Sequence, residues 1–228
     1  MMQEKTQRLL PLLVPVAVLA VFLPAVFNGF VNWDDDYYIF ANPLIQNWSW
    51  TSLKNIFLGF HAHYYAPLTF LSFGVEHLLA GTAPWLYHLD NVLLHALNGY
   101  LSYRFCLLLS GHRGTALLSA LLFALHPLRV ESVAWVTERK DLLYASFYLL
   151  ALNAYLNYLD RELKPRFLIA SSGWLLCSLL SKPMAVTLPL ALLAIDFYRR
   201  RTLTLRMIAE KLPHALLAAV FVKITWAS

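Results

Sequence analysis

The sequence predicts an all-α, polytopic transmembrane protein with about six or seven spans, and three observations carry that reading. Hydrophobic residues make up 59% of the 228 and charged residues only 14%, against about 25% charged in a soluble domain. Apolar runs of near-span length recur along the chain. The bases sit in short clusters between those runs, as membrane topology requires. The net charge of +5 is therefore a topology signal, and no nucleic-acid partner is expected. Cys106 and Cys177 both fall inside apolar runs. They read as small packing residues, not as a disulfide framework or metal pattern.

The first run, Leu9–Phe27, has the length of a bilayer crossing. Lys5 and Arg8 precede it, but Pro11, Pro15 and Pro24 and the lack of a small-x-small site argue against a cleaved leader. Residues 28–90 form a first outer loop rich in Trp, Tyr, His and Asn, which suits an interface. Within it, Ala66–Ala80 reads as an amphipathic helix lying on the membrane. Thr69, Ser72 and Glu76 make one polar stripe at spacings of three and four.

Further spans are predicted at 91–110, 115–128, 142–159, 167–181, 184–198 and 212–228. Gly111-His112-Arg113-Gly114 is read as a tight turn, and Ser181-Lys182-Pro183 as a break between spans. Assigning loops alternately to two sides puts Arg113, Arg161, Lys164, Arg166 and Arg199-Arg200-Arg201 with the N-terminus. Lys54, Arg129, Arg139, Lys140 and Lys182 fall on the other side. The excess of bases makes the N-terminal side the inner one.

Two constellations carry chemistry, both on the predicted outer side. The first is Trp33-Asp34-Asp35-Asp36-Tyr37-Tyr38. Like charges this close repel, more so beside a low-dielectric medium, so such a cluster usually meets a cation, a proton or a polar substrate. A carboxylate there can act as general base, metal ligand or both. The plain alternative is a solvated loop with an Asp capping a helix. The second is His126 through Asp141, with Arg129, Glu131, Glu138, Arg139 and Lys140. Glu131 and Glu138 are seven residues apart and on a continuous helix would share a face. The plain alternative for Arg139 and Lys140 is a salt-bridged helix end with snorkelling bases. Weaker signals are His61-Ala62-His63, a loop pair that could ligate a metal, and the stripe His88, Asn91, His95 and Asn98. The stripe fits a cavity wall or interhelical hydrogen bonds.

Phe30-Val31-Asn32-Trp33-Asp34-Asp35-Asp36, Pro67-Leu68-Thr69-Phe70-Leu71-Ser72, the His126–Asp141 block and Ser181-Lys182-Pro183-Met184-Ala185-Val186-Thr187-Leu188-Pro189 occur in that order. This set resembles a bacterial group of polytopic proteins that usually carry C-terminal tetratricopeptide repeats. It is similar, more distantly, to the eukaryotic transmembrane and tetratricopeptide-repeat O-mannosyltransferases. Both look like members of the GT-C superfamily of membrane glycosyltransferases. On that resemblance, residues 1–228 are expected to be the N-terminal part of a catalytic module. Its remaining spans and repeats are missing from this stretch.

The resemblance implies an inverting transfer of a sugar, mannose among the candidates, from a polyprenyl-phosphate donor to a hydroxyl of a protein or glycan acceptor. It places the protein in a membrane, expected to be a bacterial inner membrane with the site facing outward. Asp34 and Asp35 match the superfamily's outer-loop acids. Asp35 is the expected base, Asp34 the orienting or metal-binding partner, and Asp36 lies outside the site. Arg129, Arg139, Lys140 and Lys182 are the cations for the phosphate. His126 and Glu131 are expected as donor-sugar or metal contacts, and Glu138 as a donor contact. A divalent metal held by Asp34 and Asp35 is the one further cofactor to consider. The competing readings are a non-catalytic membrane scaffold and an ion-coupled carrier, though a carrier needs its acids at mid-membrane depth.

Overall fold

The computed structural model describes residues 2–60 and 65–226. The described residues are helical, with no strand. α1 runs Met2–Phe22 and continues as a 3-10 turn over Leu23–Phe27, where Pro24 denies the α-helix a donor. The first loop is itself folded. A single π-turn covers Asp36–Phe40, followed by α2 (Pro43–Gln46) and α3 (Trp50–Leu58). The side chains of Asn42 and Ser49 cap α2 and α3 by accepting from Leu44 N and Ser52 N. The pair His61 and His63 lies outside the described residues.

α4 (Pro67–Ala80) agrees with the expected amphipathic helix to within one residue. Its orientation differs. Thr69 and Glu76 are buried, whereas Val75, Leu78 and Leu79 are exposed. The polar stripe therefore faces the protein rather than water, because Thr69 Oγ1 donates to Ser181 O at 3.1 Å and Glu76 pairs with Arg139.

α5 (Pro84–Ser110) starts seven residues before the predicted span and ends at Gly111, whose φ of 72° is the left-handed cap geometry that favours glycine. α6 (Arg113–Leu125) stops at His126, since the residue before Pro127 is driven out of helical backbone. The short α7 (Arg129–Ala134) and a 3-10 turn over Val136–Glu138 lead into α8 (Arg139–Asp160). α9 (Pro165–Ser181), a 3-10 turn at Pro183–Thr187, α10 (Leu188–Tyr198), α11 (Leu205–Ala209) and α12 (Leu212–Trp226) complete the bundle. Leu9–Phe27, Pro84–Ser110 and Val136–Asp160 are long and apolar enough to cross a membrane. The chain is accordingly an integral membrane protein.

α5 is the hub, packing on α1, α6 and α8, while α8 lies along α9. Gly99 makes the α1–α5 approach close: a Cβ there would sit 2.8 Å from Val14 Cγ1. The His95–Asn98 part of the polar stripe on α5 is spent on helix–helix bonds. Asn98 Nδ2 donates to Leu142 O at 2.9 Å, His95 bonds Ala124 O at 2.8 Å, and Ser146 Oγ donates to Asn98 Oδ1 at 2.7 Å. These are interhelical bonds, the second of the two readings open for the stripe.

Tertiary contacts sort the connections into two sets. At one end, the first loop meets the 135–141 segment, and Lys182 meets Asp141. At the other end, Arg199 bonds Leu108 O and pairs with Asp160, and Arg201 bridges Asp196 and Glu210. The loops predicted to share a side thus touch one another.

Candidate active site

Asp35 lies at the end of the bundle where the two motif blocks meet. Its carboxylate is completely buried, and four donors converge on it. Val31 N donates to Oδ2 at 2.8 Å. Trp135 Nε1 and Thr137 N donate to Oδ1 at 3.1 and 3.2 Å, and Thr137 Oγ1 joins them. One carboxylate therefore ties the acid motif to a segment about a hundred residues later. Phe30 supports the loop's other flank, edge-on to Phe40 and Tyr87, and His88 bonds Gly29 O at 3.3 Å.

Asp34 and Asp36 are placed differently. Asp34 is half-buried and Asp36 exposed, and neither side chain has a hydrogen bond or ion pair among the described residues. Trp33 and Trp135 approach with ring centroids 6.3 Å apart. The adjacent acids thus occupy two environments: a saturated acceptor, and a carboxylate with free lone pairs.

The 126–141 block is not one helix. Trp135 is extended, with φ −92° and ψ 120°, which turns its indole onto Asp35. This break corrects the expectation that Glu131 and Glu138 share a helix face. Glu131 is exposed on α7. Glu138 begins the next turn and pairs with Lys140 at 3.0 Å. Lys140 Nζ also lies 5.3 Å from the centre of the Tyr38 ring, just beyond the acid motif. Lys182 pairs with Asp141. Asp35, Glu138, Lys140 and Lys182 are thus brought to one end of the bundle.

The other predicted residues lie apart from this group. His126 is exposed, its Nδ1 accepting from Leu128 N at 3.2 Å. Arg129 is half-buried over the Phe123 ring at 5.0 Å, and its Nε is buried without a partner. Arg139, expected as a phosphate contact, is 0% exposed. Its guanidinium pairs with Glu76 and Asp90, both at 2.8 Å. It also donates to Asn91 Oδ1 and to Tyr87 O, and Phe73 covers its face at 5.2 Å. No edge of that guanidinium is left for a ligand. Burial pushes the Glu76 carboxyl up to about 7, against the pull of the Arg139 guanidinium.

Trp135, Thr137 and Asp90 were not singled out from the sequence, and Glu76 was read only as part of the α4 polar stripe. For Trp135 and Thr137 the local signal was only that both carry side-chain donors; a single extended residue, Trp135, precedes the 3-10 turn that holds Thr137. No three His, Cys, Asp or Glu among the described residues converge, and the lone pairs of Asp35 are engaged by protein donors.

Sequence comparison gives the likeness expected from the motifs. Over 130 residues the chain is 37% identical to protein O-mannosyl-transferase TMTC2 of Mus musculus, covering 54% of this chain and 15% of that protein. It is 35% identical over 180 residues to protein O-mannosyl-transferase Tmtc1 of Drosophila melanogaster, covering 73% and 20%. Against TMTC1 of Mus musculus it is 33% identical over 174 residues, covering 68% and 18%. The chain thus spans 15% to 20% of the length of these relatives. No protein-family model matches it, and no solved structure does.

Proposed function

We propose that this chain forms the acid-bearing part of a membrane mannosyltransferase. The enzyme takes its sugar from a polyprenyl-phosphate donor and passes it, with inversion, to a hydroxyl on a protein acceptor. The observation that carries the reading is the Asp35 clamp, which holds Asp34 ready beside the 135–141 segment. The names of the relatives supply the sugar and the acceptor class. Residues 28–83 serve as the outer loop of this module, whose site faces away from the N-terminal side. A bacterial inner membrane is the proposed location.

In this mechanism Asp34 is the general base and Asp35 a positioning residue. Asp34 has free lone pairs, whereas Asp35 is surrounded by donors and has no room for a substrate hydroxyl. Asp34 removes the proton from the acceptor hydroxyl as the oxygen attacks the anomeric carbon. The bond from that carbon to the phosphate oxygen breaks, and polyprenyl phosphate leaves as an anion. Cations stabilise a developing phosphate charge. Lys140 and Lys182 stand at this end of the bundle. Arg139 orders the fold instead. No step runs through a metal.

The test is transfer of labelled mannose from polyprenyl-phosphate mannose in membranes containing the protein. Asp34→Asn should lower transfer by about 10²–10⁴-fold, the usual contribution of a general base, while donor binding persists. Near-normal transfer by Asp34→Asn would move the base elsewhere. Absence of both donor binding and transfer in the unmodified protein would favour the scaffold reading.

A further inference from the structure

The connection from α8 to α9 carries two arginines held on one aromatic ring. Glu162 and Leu163 both take left-handed backbone, each at φ 56°, and turn the chain between the two helices. The Arg161 guanidinium carbon lies 5.4 Å from the centre of the Phe167 ring, and that of Arg166 lies 4.8 Å from it. Both arginines are exposed, and neither side chain has a hydrogen bond or ion pair among the described residues. A ring face steadies a guanidinium and leaves its N–H groups free to donate.

The surroundings add charge of the same sign. Arg199 pairs with Asp160 at the foot of α8, and Arg206 reaches Glu210, which Tyr158 of α8 also bonds. These contacts bring the α10–α11 connection beside the α8–α9 one. Beneath the rim, Asp196 and Glu210 are matched by Arg201 and Lys211, so the buried network is neutral. At the rim, Arg161, Lys164, Arg166, Arg199, Arg200 and Arg206 face only Asp160 and Glu162, a surplus of four positive charges. Guanidiniums stay charged throughout the ordinary pH range, and protonating either carboxylate would only raise the surplus.

Two further features select the partner. The helical stretch Val136–Asp160 is long and apolar enough to cross a membrane, and Arg161 follows its last residue. α9 returns alongside α8, so their connection lies at a membrane surface. Large apolar side chains are interleaved with the bases: Phe197 and Leu205 are each 87% exposed, and Leu203 is 78% exposed. Bases among exposed apolar groups suit a bilayer surface, where anionic headgroups meet the bases and the apolar groups enter the acyl boundary. A soluble phosphate or a nucleic acid would leave those apolar groups in water.

We infer that this end of the bundle, opposite the acid motif, binds an anionic phospholipid, with Arg161 and Arg166 donating to its phosphate from the Phe167 ring. This goes beyond the sidedness that basic loops confer, because it assigns the contact to one held pair of donors. It does not depend on the chain's catalytic activity.

Lipid retention by the purified protein tests the inference. The protein in non-ionic detergent is incubated with equal amounts of phosphatidylglycerol and phosphatidylcholine of matched tails and recovered. The retained lipids are then counted by mass spectrometry. Phosphatidylglycerol should exceed phosphatidylcholine by about tenfold or more, from the usual worth of two bases at an anionic surface. Arg161→Gln/Arg166→Gln should bring the two close to parity. Phe167→Leu keeps every charge and should lower the ratio as well. Arg104→Gln/Arg113→Gln removes as much charge elsewhere and should keep the preference, as should excess inorganic phosphate. Equal retention by the parent, or an unchanged ratio in Arg161→Gln/Arg166→Gln or Phe167→Leu, would overturn the assignment. So would an equal loss in Arg104→Gln/Arg113→Gln, which would reduce the effect to net charge. Displacement of the lipid by inorganic phosphate would overturn it too, giving the arginines to a soluble anion.

Discussion

Exchanging each motif aspartate for asparagine separates a structural acid from a chemical one. At Asp35 the change removes the charge and turns one oxygen into a donor. Four donors now point at the carboxylate: one at Oδ2, three at Oδ1. The best orientation of an asparagine keeps its oxygen on the Trp135 and Thr137 side and turns its NH₂ toward Val31 N–H. One charge-assisted bond is lost, at about 1.5–3 kcal/mol, and the remaining three become neutral bonds of roughly half the strength. The total comes to about 4–7 kcal/mol. For a chain of this size each kcal/mol moves the melting midpoint by about 2–4 °C, so Asp35→Asn should melt more than about 8 °C lower. Asp34→Asn has no such bonds to lose and should melt within about 2 °C of the parent. The assay is tryptophan-fluorescence melting of purified protein in detergent. A melt for Asp35→Asn indistinguishable from that of Asp34→Asn would refute the clamp, and with it the division of labour between the two acids.

Other expectations follow from the same network. Arg139→Ala leaves Glu76 and Asp90 without their cation and should destabilise by about 3–5 kcal/mol, as for other broken buried pairs; a near-normal denaturation midpoint would show the network to be idle. Gly74→Ala places a methyl group 1.7 Å from a Trp48 ring carbon. Trp48 must then leave α4, so the first loop should become more protease-sensitive; an unchanged digestion pattern would contradict that packing. Glu76 sits at about 7 rather than its ordinary 4.5 because it is buried. The folded state thus holds a proton that the unfolded chain releases. The stabilising contribution is complete below about 4.5 and is lost as pH rises through 7. It amounts to at most about 3 kcal/mol. Melting midpoints should fall over that window in the wild type and stay flatter in Glu76→Gln. Parallel pH curves for the two proteins would remove Glu76 as the source.

The elements were legible because their signals are local. Gly111 and His126-Pro127 end helices by backbone chemistry alone, and the apolar runs mark the bundle. The start of α5 was missed because Trp85, His88 and Asp90 dilute its first turns. The direction of the α4 polar stripe was not readable. Periodicity finds a stripe but not its partner, and that partner, Arg139, lies 63 residues away. The role of Asp35 was hidden for the same reason: only the fold brings Trp135 and Thr137 to it. Arg139 was legible as a charge near a membrane surface. Its burial was not, because nothing local announces that Glu76 and Asp90 converge on it.

The Asp35 clamp also has a consequence in time. Its bond to Thr137 N spans 102 residues. During synthesis, at about 5–20 residues per second, the acid loop emerges roughly 5–20 seconds before its partners. For that interval Asp35 is a solvated carboxylate on an unfinished loop, and α5 and α6 must enter the membrane before it can be buried. The site is therefore assembled late, by the insertion of α8, and anything that delays that helix leaves three aspartates exposed to water.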